Sequence, residues 1–252
     1  MPKTSNRPCI YAGLSGLQLP IPKSLYPPPF ETASRLTYYG FLFNSIEINS
    51  TFYKLPRSTT IEKWRQSVQE NFRFTFKVWK EITHVKRLNF REENVYTFLK
   101  TIDFIGPKKG CLLIQFPPGF NCEYHTRLED LLYCINEADN KWKIAVEFRN
   151  NTWYNNRTYD LLQTHKAALV IHDLPASSTP LMHNTSDHVY MRLHGPSGDY
   201  RDSYSQESLN RYASQVKAWI KKRKQVYIYF NNTAGDAINN LNTINGMFSD
   251  RF

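Results

Sequence analysis

A chain of 252 residues with 41% hydrophobic and 15% aromatic residues can bury a full core and is too apolar to be a disordered segment. Its 32 Lys and Arg against 22 Asp and Glu give a net charge of +10, which permits attraction to phosphates, nucleic acid or anionic surfaces without selecting any of them. No apolar run approaches a membrane span or a signal peptide, and Cys9, Cys111, Cys122 and Cys134 lack CxxC spacing, so a soluble cytoplasmic protein with reduced thiols is expected rather than a membrane protein, a zinc site or a disulfide framework.

Residues 1–8 are a polar, Pro-containing tail, and Cys9 to Gly13 reads as a first strand. Prolines at 20, 22 and 27–29 exclude regular structure, after which a helical pattern runs from Phe30 to Tyr39 and stops at Gly40. Ser45 to Phe52 is a second strand, followed by a helix capped by Thr59 or Thr60, and Phe72 to Val78 is a third, strictly alternating strand. A basic loop from Lys80 to Arg91 leads into a helix over Val95 to Ile105, ended by Gly106-Pro107. Cys111 to Phe116 is strand four, Leu128 to Ala138 a helix, and Lys143 to Asn150 strand five. Tyr159 to His165 is a short helix, Ala168 to Asp173 strand six, and His188 to Gly195 strand seven. The segment between strands six and seven has no apolar helical stripe. A helix over Ser208 to Arg223, strand eight at Val226 to Asn232, and a last helix near Gly235 to Phe248 complete the chain.

Eight strands alternating with mostly helical connectors, with no internal linker, predict one (β/α)8 TIM-barrel domain over residues 9–252, with a weak or missing sixth helix. The competing fold is an open doubly wound sheet, but Gly13-Leu14-Ser15-Gly16 is too sparse for a dinucleotide fingerprint.

Alternation places Glu47, Asn49, Lys77, Gln115, Glu147, Arg149, Asp173, Arg192, His194, Tyr229 and Asn231 on the inward face near the strand ends. Ile46, Ile48, Phe74, Phe76, Leu112, Ile114, Val146, Phe148, Val170, Leu193 and Phe230 fall on the face to be covered by helices, and His172 shares that outward parity. Three acids facing three bases and a histidine are buried without prohibitive cost only as a hydrogen-bonded network. Such a network is either a self-satisfied plug or a site, and strand C-termini are where barrels of this kind place their chemistry.

The stretches Ser45-Ile46-Glu47-Ile48-Asn49-Ser50-Thr51-Phe52-Tyr53 with Pro56, Phe74-Thr75-Phe76-Lys77 with Thr83-His84, and Leu113-Ile114-Gln115-Phe116-Pro117-Pro118 form an ordered set. Ala145-Val146-Glu147-Phe148-Arg149 with Trp153, then Asp173, Tyr190 to Gly195, and Tyr229-Phe230-Asn231-Asn232 continue it. As a set they resemble the YecE-like family of TIM barrels, domain of unknown function 72, over nearly the whole chain. The resemblance implies the barrel and a likeness to sugar isomerases and related barrel enzymes, without a substrate. One departure is local: the family's first strand continues Gly-x-Ser-Gly-Trp, and here Leu17 follows Gly16.

The expected function is acid/base catalysis, isomerase- or lyase-like, on a small polar metabolite that is sugar-like or anionic. Glu147, Lys77 and His194 are the catalytic candidates, with Arg149 and Arg192 as clamps for an anion or carbonyl. Glu47, Asn49, Gln115, Asp173, Asn231 and Asn232 would orient the ligand, while His84 lies in a loop able to cover the mouth and Tyr53 and Trp153 could stack on a ring, as could Trp79, Tyr154, Tyr200 and Tyr204. No cofactor is expected. Glu47, Glu147, Asp173 and His194 could hold a divalent metal, but Lys77, Arg149 and Arg192 would neutralise the same acids without one. The other class of function is non-catalytic binding of nucleic acid or a ligand, with a metal-dependent nuclease or hydrolase between the two. Lys221-Lys222-Arg223-Lys224, Lys108-Lys109, Lys141 and Lys143 are expected to form a solvated basic rim at the barrel bottom.

Overall fold

The structure, a computed structural model, describes residues 10–180 and 185–248. The polar tail and Cys9 lie outside them. The strands are β1 (Ile10–Leu14), β2 (Ser45–Ile48), β3 (Arg73–Lys77), β4 (Lys109–Gln115), β5 (Lys143–Glu147), β6 (Ala168–Leu169), β7 (Ile171–His172), β8 (His188–Leu193) and β9 (Gln225–Phe230). All pair in parallel, in two arcs ordered β1-β9-β8-β7 and β2-β3-β4-β5-β6. An isolated bridge between Ser15 and Glu47 joins β1 to β2. Chain continuity through Val170 joins β6 to β7, so the arcs close into a (β/α)8 barrel with eight strand positions.

The sixth position is one expected strand broken in two. Two threonines occupy edges that neighbouring strands would pair: Thr185 Oγ1 accepts the Leu169 N–H at 2.9 Å and donates to Ala167 O at 2.6 Å, and Thr179 Oγ1 accepts the His172 N–H at 3.3 Å and donates to Val170 O at 2.8 Å. At the opposite seam the backbones approach so closely that a Cβ on Gly13 would sit 2.0 Å from Ser45 O. Only glycine fits there.

The connectors include α1 (Arg35–Leu42), α2 (Ser50–Tyr53), α3 (Ser58–Gln66), α4 (Lys80–Thr83), α5 (Glu92–Ile102), α6 (His125–Ala138), α7 (Asn156–Thr164), α8 (Gln206–Lys221) and α9 (Ala237–Gly246). Between β7 and β8 the described residues contain no helix. The first helix starts later than its pattern suggested, after Ser34 caps it by accepting the Thr37 N–H at 3.0 Å. Gly40 lies inside that helix rather than ending it, and a Cβ there would meet Val68 Cγ1 at 2.7 Å, so glycine serves close packing. Neither Thr59 nor Thr60 caps α3, which begins at Ser58 after Arg57. The helix expected to reach Ile105 ends at Ile102 and tightens into a 3-10 segment, Asp103–Lys108.

Two apolar layers follow from strand alternation. The large one, between sheet and helices, contains Ile46, Phe74, Phe76, Leu112, Ile114, Val146, Phe148, Leu193 and Phe230. The small one fills the barrel with Tyr11, Cys111, Leu113, Ala145, Ala168, Val170, Tyr190, Tyr227 and Tyr229. Val170 therefore faces inward, contrary to its expected parity, and the same phase carries His172 alongside Arg192 in the sheet. One phenol of this layer is satisfied by two hydroxyls: Tyr229 Oη lies 2.6 Å from Ser45 Oγ and 2.8 Å from Thr75 Oγ1.

The basic rim is also less solvated than expected. Lys108 is buried and its Nζ donates to Arg65 O at 2.7 Å and Val68 O at 2.6 Å, satisfying carbonyls at the end of α3. Lys109 pairs with Asp103 and Asp139.

Candidate functional site

Above the inner apolar layer, at the C-terminal ends of the strands, the barrel holds a continuous polar network. Glu47 of β2 and Glu147 of β5 are both fully buried, and Arg192 of β8 lies between them. Arg192 Nε is 3.1 Å from each Glu47 oxygen, its Nη2 is 3.0 Å from Glu47 Oε1, and its Nη1 is 3.3 Å from Glu147 Oε2. Tyr190, two residues earlier on the same strand face, donates to Glu47 Oε2 at 2.6 Å. Arg149, just beyond β5, closes the other side of Glu147 with Nε 2.5 Å from Oε1. Burial raises the carboxyl pKa of both acids. The Arg192 charge and its hydrogen bonds outweigh this at Glu47, as Arg192 and Arg149 do at Glu147, so both are held below the usual carboxylate range and remain ionised.

His194 is fully buried beside them. Arg192 Nη1 and Arg149 Nη2 approach its Nε2 at 2.9 and 3.2 Å. Guanidinium nitrogens only donate, so Nε2 accepts and the ring carries its proton on Nδ1, which lies 3.5 Å from Asp173 Oδ1. Burial lowers the His194 pKa, consistent with this neutral form. Asp173 does not enter the central cluster. It stands behind His194, accepting the His194 N–H at 2.8 Å and a bond from the Tyr204 hydroxyl, which itself accepts the Gly195 N–H at 2.6 Å. His172, by contrast, faces the network. Its Nε2 donates to Phe148 O at 2.9 Å, its ring centre lies 5.7 Å from that of His194, and burial lowers its pKa to about 4.

Lys77 ends β3 half-buried. Its Nζ donates to Gln115 Oε1 at 2.8 Å and lies 4.3 Å from the centre of the Phe52 ring. Among the described residues no carboxylate lies within salt-bridge distance of it. Burial first, then the Arg192 charge, bring its pKa down to about 8, against partial compensation from Glu147 and Glu47. His84 packs edge-on against Phe52 at 4.8 Å and accepts or donates at Thr83 Oγ1, 2.9 Å away. Lys77, Phe52 and His84 therefore make a small cluster at the rim, and Tyr53 stands exposed beside it.

Several expected ligand contacts have other roles. Trp153 is fully buried, stacks on Phe148 at 4.6 Å and donates from Nε1 to Phe120 O at 2.6 Å, so it packs the loop after β5 onto the barrel. Asn232 donates to Asp202 O and Asn240 Oδ1, both at 2.9 Å, and ties the loop after β9 to α9. Tyr204 is buried against Phe230. The half-buried Tyr154 donates to Ser177 O at 2.6 Å, and Trp79, also half-buried, packs against the outer core. Tyr200 stays exposed and accepts from Arg149 Nη1 at 3.4 Å. Asn231 is buried, its backbone N–H bonded to Leu193 O. Asn49 Oδ1 is buried without a hydrogen-bond partner among the described residues.

One expectation changes with these contacts. Arg192 cannot clamp a free anion, because both ends of its guanidinium are taken by Glu47 and Glu147. At the centre Glu47 and Glu147 balance Arg149 and Arg192, so neither guanidinium is left as a surplus cation there. No group of three or more His, Cys, Asp and Glu side chains that could hold a metal ion occurs among the described residues. Sequence reasoning missed Tyr190 and Phe52 as site residues. Tyr190 was accessible by counting two residues back from Arg192.

The family model for DUF72, a protein family of unknown function, matches residues 11–251. The chain belongs to this family. Over 262 aligned residues, 92% of each chain, it is 27% identical to the UPF0759 protein YunF of Bacillus subtilis. It is 28% identical to the UPF0759 protein YecE of Escherichia coli over 119 residues, 47% of this chain and 43% of that one. The DUF72 barrel is shared with a DUF72 family protein of Enterococcus faecalis, at TM-score 0.80 and 22% identity over 95% of both chains. One from Thermotoga maritima gives 0.78 and 25% over 95% of this chain and 99% of that one. SacUVDE gives 0.59 at 11% identity over 96% of this chain and 99% of that one, a likeness of fold. No helix among the described residues of this DUF72 chain is long and apolar enough to cross a membrane.

Proposed function

We propose that this DUF72 protein is an enzyme that moves protons on a small polar, sugar-like metabolite bound at the C-terminal mouth of the barrel, in an isomerase- or lyase-like reaction. The observation that carries the reading is the contrast inside the network. Glu47, Glu147 and Arg192 are locked in fixed charge states by one another, whereas Lys77 has an amide for a partner and a pKa of about 8. A group that titrates near neutral pH beside a preorganised charged wall is what proton transfer requires. In this reading Lys77 exchanges the proton. Glu147 and His194, first expected to share that task, hold Arg149 and Arg192 in place, Gln115 holds Lys77, and Asn49, Asn231 and His84 are available to ligand hydroxyls.

The alternative, non-catalytic binding of nucleic acid, draws support from the barrel bottom, where Arg73, Lys141 and Lys143, beside the Lys109–Asp103 pair, line a cavity of about 620 Å³. The discriminating experiment is an NMR screen of hydroxy-aldehydes and hydroxy-ketones in deuterated buffer. Carbon-bound deuterium appearing with wild type, and falling at least about 100-fold with Lys77→Arg, supports the enzyme. No exchange on any compound, together with nucleic-acid binding that weakens steeply with salt, overturns it.

A further inference from the structure

The rim cluster around Phe52 has a property that proton transfer alone does not use. Lys77 reaches the mouth from β3 with its ammonium carbon chain half-buried, one face against an aromatic ring and its nitrogen hydrogen-bonded to a neutral amide oxygen. A lysine meant to hold a fold together is normally paired, as Lys109 is with Asp103 and Asp139, or caps carbonyls, as Lys108 does for α3. Lys77 does neither. Gln115, its partner, is itself oriented by donating from Nε2 to Phe116 O at 2.6 Å, so its Oε1 is held toward Nζ and can accept a proton-bearing nitrogen in either charge state.

We propose that Lys77 is a covalent nucleophile that forms an imine with an aldehyde or ketone, so that the substrate class of this mouth is a carbonyl compound. This rests on the reading of the mouth as an enzyme site and goes beyond it by naming the bond. The neutral Nζ adds to the carbonyl carbon, and the π pair moves to oxygen, which takes a proton from solvent as nitrogen gives one up. The carbinolamine oxygen then takes a second proton and leaves as water, giving a protonated C=N bond. One water is lost, and no oxidant or reductant is consumed. The cationic imine draws electrons from the adjacent carbon, which eases removal of its proton or cleavage of its C–C bond, the step shared by isomerases and lyases of this kind. Hydrolysis returns Lys77.

The surroundings favour the neutral amine. Burial disfavours the charge first, then Arg192 from β8 and Arg149 beyond β5 oppose a third positive charge, against a partial pull from Glu147 and Glu47, both engaged by guanidinium groups, and from the Phe52 ring face. With a pKa of about 8 against 10.5, the neutral fraction of Lys77 at pH 7 is about 300-fold that of an ordinary lysine. A less basic amine is intrinsically a weaker nucleophile, so the expected advantage in rate is about 10- to 100-fold.

Reductive trapping tests this on the wild-type protein. It is incubated at pH 7 with limiting glyceraldehyde and sodium cyanoborohydride, and the modified lysines are mapped by peptide mass spectrometry against time. The expected result is a first adduct on Lys77, formed at least about 10-fold faster than on exposed lysines such as Lys141, with a rate that climbs through pH 8. Labelling of Lys77 no faster than Lys141 overturns the imine. Deuterium exchange that requires Lys77 without selective trapping removes the covalent bond and leaves proton transfer standing. Selective trapping with no exchange on any compound keeps the nucleophile and removes the proposed enzyme reaction.

Discussion

Glu147→Gln changes one atom of the network and separates a structural anion from a dispensable one. The wild-type carboxylate has no exposure and serves two guanidinium groups, those of Arg149 and Arg192, whose side chains are 13% and 4% exposed. An amide can accept from one of them but carries no charge, leaving Glu47 alone to balance two buried cations near Lys77. Breaking one side of a buried ion pair costs about 3–5 kcal/mol, because the remaining charge is left without compensation. At about 2–4 °C per kcal/mol for a chain of this size, the melting temperature should fall by about 6–20 °C. Strand alternation alone does not foretell this cost, because it places Glu147 on a face without revealing how many cations it serves. Thermal and urea melts of wild type, Glu147→Gln and Glu147→Gln/Arg149→Met are the assay. The double variant should recover part of the loss by removing the surplus cation. A shift below about 2 °C in the single variant would refute the buried network as described.

Three further outcomes follow from other contacts. His172 is buried and neutral with a pKa lowered to about 4, so between about pH 6.5 and 4 the unfolded chain binds the extra proton. Stability from this group is complete above pH 6.5 and is lost as pH falls toward 4, by on the order of 3 kcal/mol, and urea melts should show His172→Gln with a flatter slope over that window; an unchanged slope contradicts the assignment. Gly13→Ala would press a methyl group on Ser45 O and should cost at least about 1–3 kcal/mol or prevent folding, whereas a neutral result would mean that β1 and β2 are not so close. Lys108→Met strands two carbonyls at the end of α3 and should cost about 1–3 kcal/mol by denaturant unfolding; a cost under about 0.5 kcal/mol would place Nζ in solvent instead.

The barrel was legible because its strands are short apolar runs bounded by Gly, Pro and polar turns, with helices between them. The break in the sixth strand was not, since the threonines at its edges, Thr185 and Thr179, reach back 18 and 9 residues to Ala167 O and Val170 O. The phase of that strand misled for a related reason. Asp173 looked like the polar end of an inward row, but Ala168, Val170 and His172 form the inward row and Asp173 lies just past it. Residue types at the strand ends announced a charged cluster. Which acid meets which base is set by barrel geometry, and so is the lack of an ion pair to Lys77 among the described carboxylates. Trp153 and Tyr204 show the limit for aromatics: a ring after a strand end reads identically whether it stacks on a ligand or on Phe148 and Phe230.

The uncommitted state of Lys77 in an otherwise neutralised mouth is the claim on which the functional account depends. An NMR titration of the lysine side-chain nitrogens, followed from pH 6 to 11 in wild type and Lys77→Arg, measures it directly. The account predicts a lysine signal titrating near pH 8 that is absent from the variant. If Lys77 titrates with the others, it is an ordinary solvated ammonium and the site has no group poised for proton transfer.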